Sequence, residues 1–386
     1  MTVRHAIGCM SGTSCDGIDA SLVRIEGTGL DMTAHPIRSA SVGLGLLGDE
    51  LMEFARGTRL APGEVARLSA ALAAAHAKLI RDLVVGEPCD LVAIHGQTVF
   101  HDPPLSWQLI EPSIIAEALG APVVSNLRAA DLARGGQGAP ITPIADWILL
   151  RDQRERRAIV NLGGFCNATI LRASARPDDI RGFDVCACNQ LLDTLARTML
   201  DQPFDIDGIV AASGSVNRQL HATLVETLST QANETRSLGS ADEPAAVGDG
   251  WTESLHARLS NLKPADVLRT ACAAIADTLA QTEVSTTDRV LIAGGGVFNA
   301  TLRAELDRAL PVPVAPTDEV GLPSQYREAI EMAVLGALCA DGVAITLPSI
   351  TGCRQPAPVA GVWSGRLAGR PANATQPVQT DSSKDQ

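Results

Sequence analysis

Residues 12–19 read Gly12-Thr13-Ser14-Cys15-Asp16-Gly17-Ile18-Asp19 and lie between two apolar runs. A tight turn with two glycines lets consecutive backbone N–H groups point at one anion, and the hydroxyls of Thr13 and Ser14 add donors. Such a turn can hold polyphosphate oxygens at close range. The Asp16 carboxylate can then hold a magnesium ion through its waters, because hard cations choose carboxylate oxygen. Two further glycine turns follow: Gly163-Gly164 in mid-chain, and Gly294-Gly295-Gly296 ahead of Val297-Phe298-Asn299. Taken singly, each is more often an ordinary turn than a ligand cradle.

The other polar residues of interest have a plain reading beside a chemical one. Asp184 precedes Leu192, Leu195 and Met199 at helical spacing, so locally it reads as a helix-entry residue. Arg128 and Asp131, three apart, read as an ion pair, although a guanidinium also suits a bound carboxylate. Glu328 reads as a favourable charge at a helix N-terminus. His95 and His101 are six residues apart with Gly96 between them, a poor metal pair and a better hydrogen-bonding loop. Of nine cysteines, only Cys186 and Cys188 lie close together, and they read as small packing residues.

These residues need elements to position them. The opening, His5 to Gly27, reads as strand, glycine turn and strand, and Arg157 to Ala173 repeats that unit. After the first unit, Glu64 to Val85 carries Leu68, Leu72, Leu79 and Leu83 at helical spacing, and the strand LVAIHG follows. After the second come the helix-like Ala265 to Leu279 and the strand VLIAGGG. The same order of parts occurs twice. We therefore expect two related α/β halves, residues 1–150 and 151–366, joined at the charged stretch 151–157. Residues 231–250 read as a polar loop, and residues 367–386 as a disordered tail.

Composition excludes several classes. At 386 residues and 46% hydrophobic content the chain can bury the cores of about two domains. Only 3% of residues are aromatic, so those cores must be built from Ala, Val, Leu and Ile. The net charge of −13 gives no basic footprint for nucleic acid. No apolar run approaches the roughly 20 residues that span a bilayer. The first such run, Ala6 to Met10, is too short for a signal peptide, and with an odd count of cysteines this points to reduced thiols in the cytoplasm.

The string MSGTSCDGIDA (Met10 to Ala20) resembles the N-terminal signature of the anhydro-N-acetylmuramic acid kinases. HGQTVFHDP, NLRAADLARGGQGAP, VNLGGFCN, GGGVFN, TDEVGLPSQYREA and LPSITG resemble further family segments, in family order, over about residues 5 to 353. The resemblance implies the two-domain actin-like ATPase (sugar kinase) fold, with a nucleotide cleft between duplicated halves. It implies ATP and Mg2+ as cofactors, a small sugar as substrate and a homodimer. The implied reaction phosphorylates the sugar's 6-oxygen while water opens the 1,6-anhydro ring. It casts Asp184 as the base, His95, Arg128, Asp131 and Glu328 as sugar contacts, and Gly12 to Asp19 and Gly163-Gly164 as phosphate contacts. Gly294 to Gly296 and Asn299 would meet the adenosine.

The chain departs from the family pattern in three places. Where the family reads Asp-Thr-Gly-Pro-Gly, Asp184 is followed by Val185-Cys186-Ala187-Cys188. If those positions need left-handed backbone, each non-glycine residue costs roughly 1–2 kcal/mol, and the side chains would crowd phosphate. Glu111-Pro112 replaces Gly-Asp, and Asn126-Leu127 stand before Arg128 in place of aspartate and phenylalanine. These departures set two other readings beside the kinase: a weakened paralogue that senses nucleotide or sugar, or a kinase for a related amino sugar.

Overall fold

Val3–Ser11 (β1), Gly17–Glu26 (β2) and Thr33–Gly43 (β3) form an antiparallel meander. Helices Leu46–Ala55 (α1) and Pro62–Leu83 (α2) follow. Helix α2 starts where it does because Pro62 suits a first turn and the Glu64 carboxylate accepts the Ala61 N–H at 2.6 Å. Its Leu68, Leu72, Leu79 and Leu83 are buried on one stripe, as their spacing required. Leu91–Ile94 (β4), wholly buried, then runs parallel to β1. A small hairpin, Gln97–Asp102 (β5) and Leu105–Leu109 (β6), leads to Pro112–Leu119 (α3) and to Val123–Ser125 (β7), parallel to β4. Ala129–Leu132 (α4) and Pro143–Leu150 (α5) complete this half.

The computed structural model describes residues 2–232, 238, 259, 261–357 and 360–365. Most of the expected loop 231–250, and all of the expected tail, lie outside them. The second half opens with the meander Arg157–Leu162 (β8), Phe165–Leu171 (β9) and Arg181–Ala187 (β10). Helices Asn189–Leu200 (α6), Ile209–Ala212 (α7), Arg218–Ala232 (α8) and Pro264–Ala280 (α9) come next. Arg289–Ala293 (β11) runs parallel to β8, Ala300–Ala309 (α10) follows, and Val314–Pro316 (β12) runs parallel to β11. The chain ends with Arg327–Asp341 (α11), Pro348–Thr351 (α12) and Val362–Ser364 (β13), which pairs back onto β7.

Strand order is β13-β7-β4-β1-β2-β3 in one sheet and β10-β9-β8-β11-β12 in the other. From β3 to β7, and from β10 to β12, the same pattern repeats: two antiparallel pairs, then two parallel ones. This is the duplicated α/β architecture of the actin-like fold, as expected. Three cores follow from it. One lies beneath α2 and β1–β4, and one inside the second half under α6 and α9. The third lies between the halves, where α5 and α11 meet residues of both sheets, including Ala6, Ile159 and Leu291.

Helix α11 reaches the first sheet at Gly8, where an added Cβ would lie 1.9 Å from the Ala329 carbonyl oxygen. Only glycine allows that approach, and it sets the first turn of α11, with Glu328, over β1. Among the described residues no helix is long and apolar enough to cross a membrane.

Candidate active site

The turns β1–β2 and β8–β9 meet. A Cβ built on Gly164 would lie 2.6 Å from Thr13 Oγ1, so the two turns touch at this glycine. In the first turn, Ser14 Oγ donates to Asp16 Oδ1 at 2.7 Å and Cys15 takes a left-handed φ of 55°. Gln97 braces it from below, accepting from Ser11 Oγ at 2.5 Å and donating to the Gly12 carbonyl at 3.0 Å. The third glycine run follows β11. Gly294 there has a φ of +85°, and a Cβ on it would lie 2.7 Å from Asn161 Oδ1. All three glycine runs therefore lie close together.

Not every side chain of residues 12–19 is open to solvent beside those runs. Cys15 and Ile18 are buried in the first core. Asn299 Oδ1 accepts the Leu302 N–H at 2.9 Å, capping α10.

The segment after Asp184 overturns the expected strain. None of Val185 to Cys188 has a left-handed φ; the first three lie in β10, and Cys188 precedes α6 with φ −122°. All four side chains are buried in the second core, and burial drives the Cys186 and Cys188 thiols far above their ordinary range. They point into that core and away from the glycine turns. Their backbone supports the glycine turn instead: the N–H groups of Cys188 and Asn189 donate to the carbonyls of Gly164 and Gly163 at 2.9 and 3.0 Å. One ground for a weakened paralogue, the strain and crowding expected of this segment, is thereby removed.

The residues expected to meet the sugar gather around one guanidinium. Arg128 Nε donates to His95 Nε2 at 2.9 Å, and its Nη1 donates to the Gly138 carbonyl at 2.6 Å. With Nε2 accepting, His95 must carry its proton on Nδ1, which donates to the Gly96 carbonyl at 3.0 Å. Burial, reinforced by Arg128, pushes the His95 pKa down to about 3, so the ring is neutral. Burial also lowers the Arg128 pKa to about 10, against the opposing pull of Asp184, Glu328 and Asp131. Three carboxylates thus compensate one buried cation. Asp131 also receives the Gly138 N–H at 2.8 Å and the Thr351 hydroxyl at 2.7 Å, which makes it a buried structural brace rather than a surface ion-pair partner. Asp184 is half-buried, and its Oδ2 accepts the Leu238 N–H at 2.7 Å.

His101 donates or accepts at Ser106 Oγ, 2.9 Å away, and burial lowers its pKa to about 4. Asn126 carries the chain into the Arg128 loop with φ 53°, a left-handed angle that asparagine tolerates. Glu111 and Pro112 begin α3: the carboxylate caps Ser113 N at 3.3 Å and proline takes the first turn.

Two features escaped the sequence. Asp193 stands on α6 three residues after Gln190 and four after Asn189, and both of those touch glycine turns. Burial raises its pKa to about 6, with Arg197 lowering and Asp16 raising it. Asp16 also raises Asp19, whose carboxyl is pushed up mainly by burial and held back by Ser41. The helical spacing from Asn189 was the available signal for Asp193. The second feature is a buried ionic cluster one residue before Glu328. Arg327 Nη1 donates to Asp146 and Glu331, and Thr169 Oγ1 donates to Asp146 Oδ2 at 2.6 Å. Its members come from α5, α11 and β9, far apart in sequence.

A family model described as anhydro-N-acetylmuramic acid kinase matches residues 4–364. The anhydro-N-acetylmuramic acid kinase of Salinibacter ruber is 36% identical over 382 residues, spanning 92% of this chain and 95% of that protein. That of Synechococcus elongatus is 36% identical over 381 residues, 93% of this chain and 99% of that protein. That of Bordetella avium is 36% identical over 373 residues, 92% and 94% respectively.

Proposed function

The chain belongs to the anhydro-N-acetylmuramic acid kinase family, and on that premise we propose that it uses ATP and water to convert 1,6-anhydro-N-acetylmuramic acid to N-acetylmuramic acid 6-phosphate. The observation that carries the reading is the gathering of Asp184 and Glu328 about Arg128 in one half-buried site. Beside it, the Gly12–Gly17 and Gly163-Gly164 turns close on each other.

In this reading Asp184 takes a proton from a water as that water's oxygen bonds to C1 of the sugar. The C1–O6 bond breaks, O6 receives the γ-phosphoryl group of ATP, and ADP leaves. Arg128 pairs with the sugar's lactyl carboxylate or holds Asp184 ionised, and Glu328 orients hydroxyls. Phosphoryl transfer itself asks mainly for position and charge neutralisation.

The donor set fits a magnesium ion held largely through water. Asp16, Asp19 and Asp193 line the turn, while among the described residues no three His, Cys, Asp or Glu side chains converge on one point. Asp16 would be its protein partner; such an ion supplies charge neutralisation on the transferring phosphate. Residues 1–150 and 151–366 would act as two lobes that close on the nucleotide, with α11 and β13 of the second segment docked on the first sheet. A cytoplasmic homodimer is part of the same reading.

The test incubates purified protein with ATP, Mg2+ and the anhydro sugar and follows ADP. Release that depends on the sugar is expected; release indifferent to the sugar, or none, would overturn the assignment.

A further inference from the structure

The crevice between the ends of β8 and β11 is the point where the second sheet's strand order turns back on itself. In open α/β sheets, such a switch point is where ligands sit. Asn161 pairs with Ala293 at the bottom of that crevice and is 4% exposed. Its Nδ2 lies 3.1 Å from where a Cβ on Gly163 would stand, and its Oδ1 lies 2.7 Å from a Cβ on Gly294. The amide is therefore wedged between two of the three glycine runs. Its Oδ1 is buried and, among the described residues, has no hydrogen-bond partner.

The duplicated fold supplies an internal comparison. The matching crevice in the first half, between the ends of β1 and β4, is closed by Gln97, which accepts from Ser11 Oγ and donates to the Gly12 carbonyl. The loop after β4 thus provides its own side chain. The loop after β11 is Gly294-Gly295-Gly296 and has none to offer. A buried acceptor left unmet is unfavourable and is seldom retained without a use.

We infer that Asn161 is a nucleotide contact whose Oδ1 accepts a hydrogen bond from an O–H group of the bound nucleotide complex. This rests on the ATP reading above. A phosphate oxygen cannot be the partner, because at neutral pH it only accepts. The donor is a ribose hydroxyl or a metal-bound water, the same chemistry from two sources.

Calorimetric titration of ADP, 2′-deoxy-ADP and 3′-deoxy-ADP, each with Mg2+ and with EDTA, tests this on the wild-type chain and on Asn161→Ala. Alanine is expected to weaken Mg-ADP binding by about three- to tenfold. Removing the matched group from the ligand should weaken the wild type by a similar factor and the variant no further. If that group is one hydroxyl, the partner is ribose; if it is Mg2+, the partner is a coordinated water. Asn161→Ser gives the same comparison should alanine unfold the chain. Equal losses on every ligand, or no loss, would overturn the inference while leaving nucleotide binding intact. A wild type that binds no ADP overturns the nucleotide reading and this inference with it.

Discussion

Thr13 and Gly164 belong to different halves of the chain, yet a Cβ on Gly164 would come within 2.6 Å of Thr13 Oγ1. The two turns are in contact, and a side chain at position 164 would press on Thr13. Thr13 is exposed and can swing aside, so Gly164→Ala should fold normally. In the proposed reading, the swing takes a hydroxyl away from the bound phosphates. We expect an unchanged Tm, a KM for ATP raised about tenfold and a smaller change in the sugar KM. A raised sugar KM with an unchanged ATP KM would place the turn elsewhere.

Restoring the family residues at Val185 to Cys188, by Val185→Thr, Cys186→Gly, Ala187→Pro and Cys188→Gly, should not speed the enzyme. These side chains fill the second core, and Ala187 N–H donates to Gln231 Oε1 at 2.9 Å, a bond that proline cannot make. The combined loss of buried atoms and that donor should cost at least about 2 kcal/mol in urea unfolding. A faster enzyme of undiminished stability would show that the segment does limit phosphate approach.

Arg327 and its partners predict a different kind of damage. Arg327 is 2% exposed, Asp146 1% and Glu331 0%, so Arg327→Met leaves acidic groups buried beside Glu328. Breaking such a pair costs about 3–5 kcal/mol. Arg327 also offsets the burial that raises the Glu328 pKa. The variant should therefore lose stability and bind sugar more weakly as the pH falls, whereas Arg327→Lys should retain most of both. Identical pH profiles of sugar binding in all three proteins would leave Arg327 a structural role only.

His76 offers a pH test remote from the site. It is wholly buried on α2, its Nδ1–H donates to the Leu72 carbonyl at 2.8 Å, and burial lowers its pKa to about 4. Between pH 6.5 and 4 the unfolded chain binds a proton there that the folded chain refuses. Stability therefore falls as the pH drops, by up to about 1.4 kcal/mol per pH unit. His76→Leu removes this term, so its Tm advantage over the wild type should grow from pH 7 to pH 5. A constant difference would mean that His76 titrates alike in both states.

Much of this was legible in the sequence because it is local. Leu68 to Leu83 announced α2, and the glycine turns announced both hairpins. What could not be read was what depends on distant partners. The left-handed strain expected at Cys186 and Cys188 presumed a loop, but pairing with β9 makes strand of the segment as far as Ala187. Asp131 and Thr351 meet across 220 residues, so the buried brace read as a surface pair. Arg327, Asp146 and Thr169 lie on three separate elements, and only packing joins them.

The central claim is that Asp184 activates the water that opens the ring, and Asp184→Asn tests it most directly. Asparagine keeps the shape and can still accept the Leu238 N–H, but it is no base. Calorimetry should show the variant binding the anhydro sugar within a few-fold of the wild type, while sugar-dependent ADP release falls by about 10²–10⁴. Sugar-dependent release within tenfold of the wild-type rate would contradict the assignment.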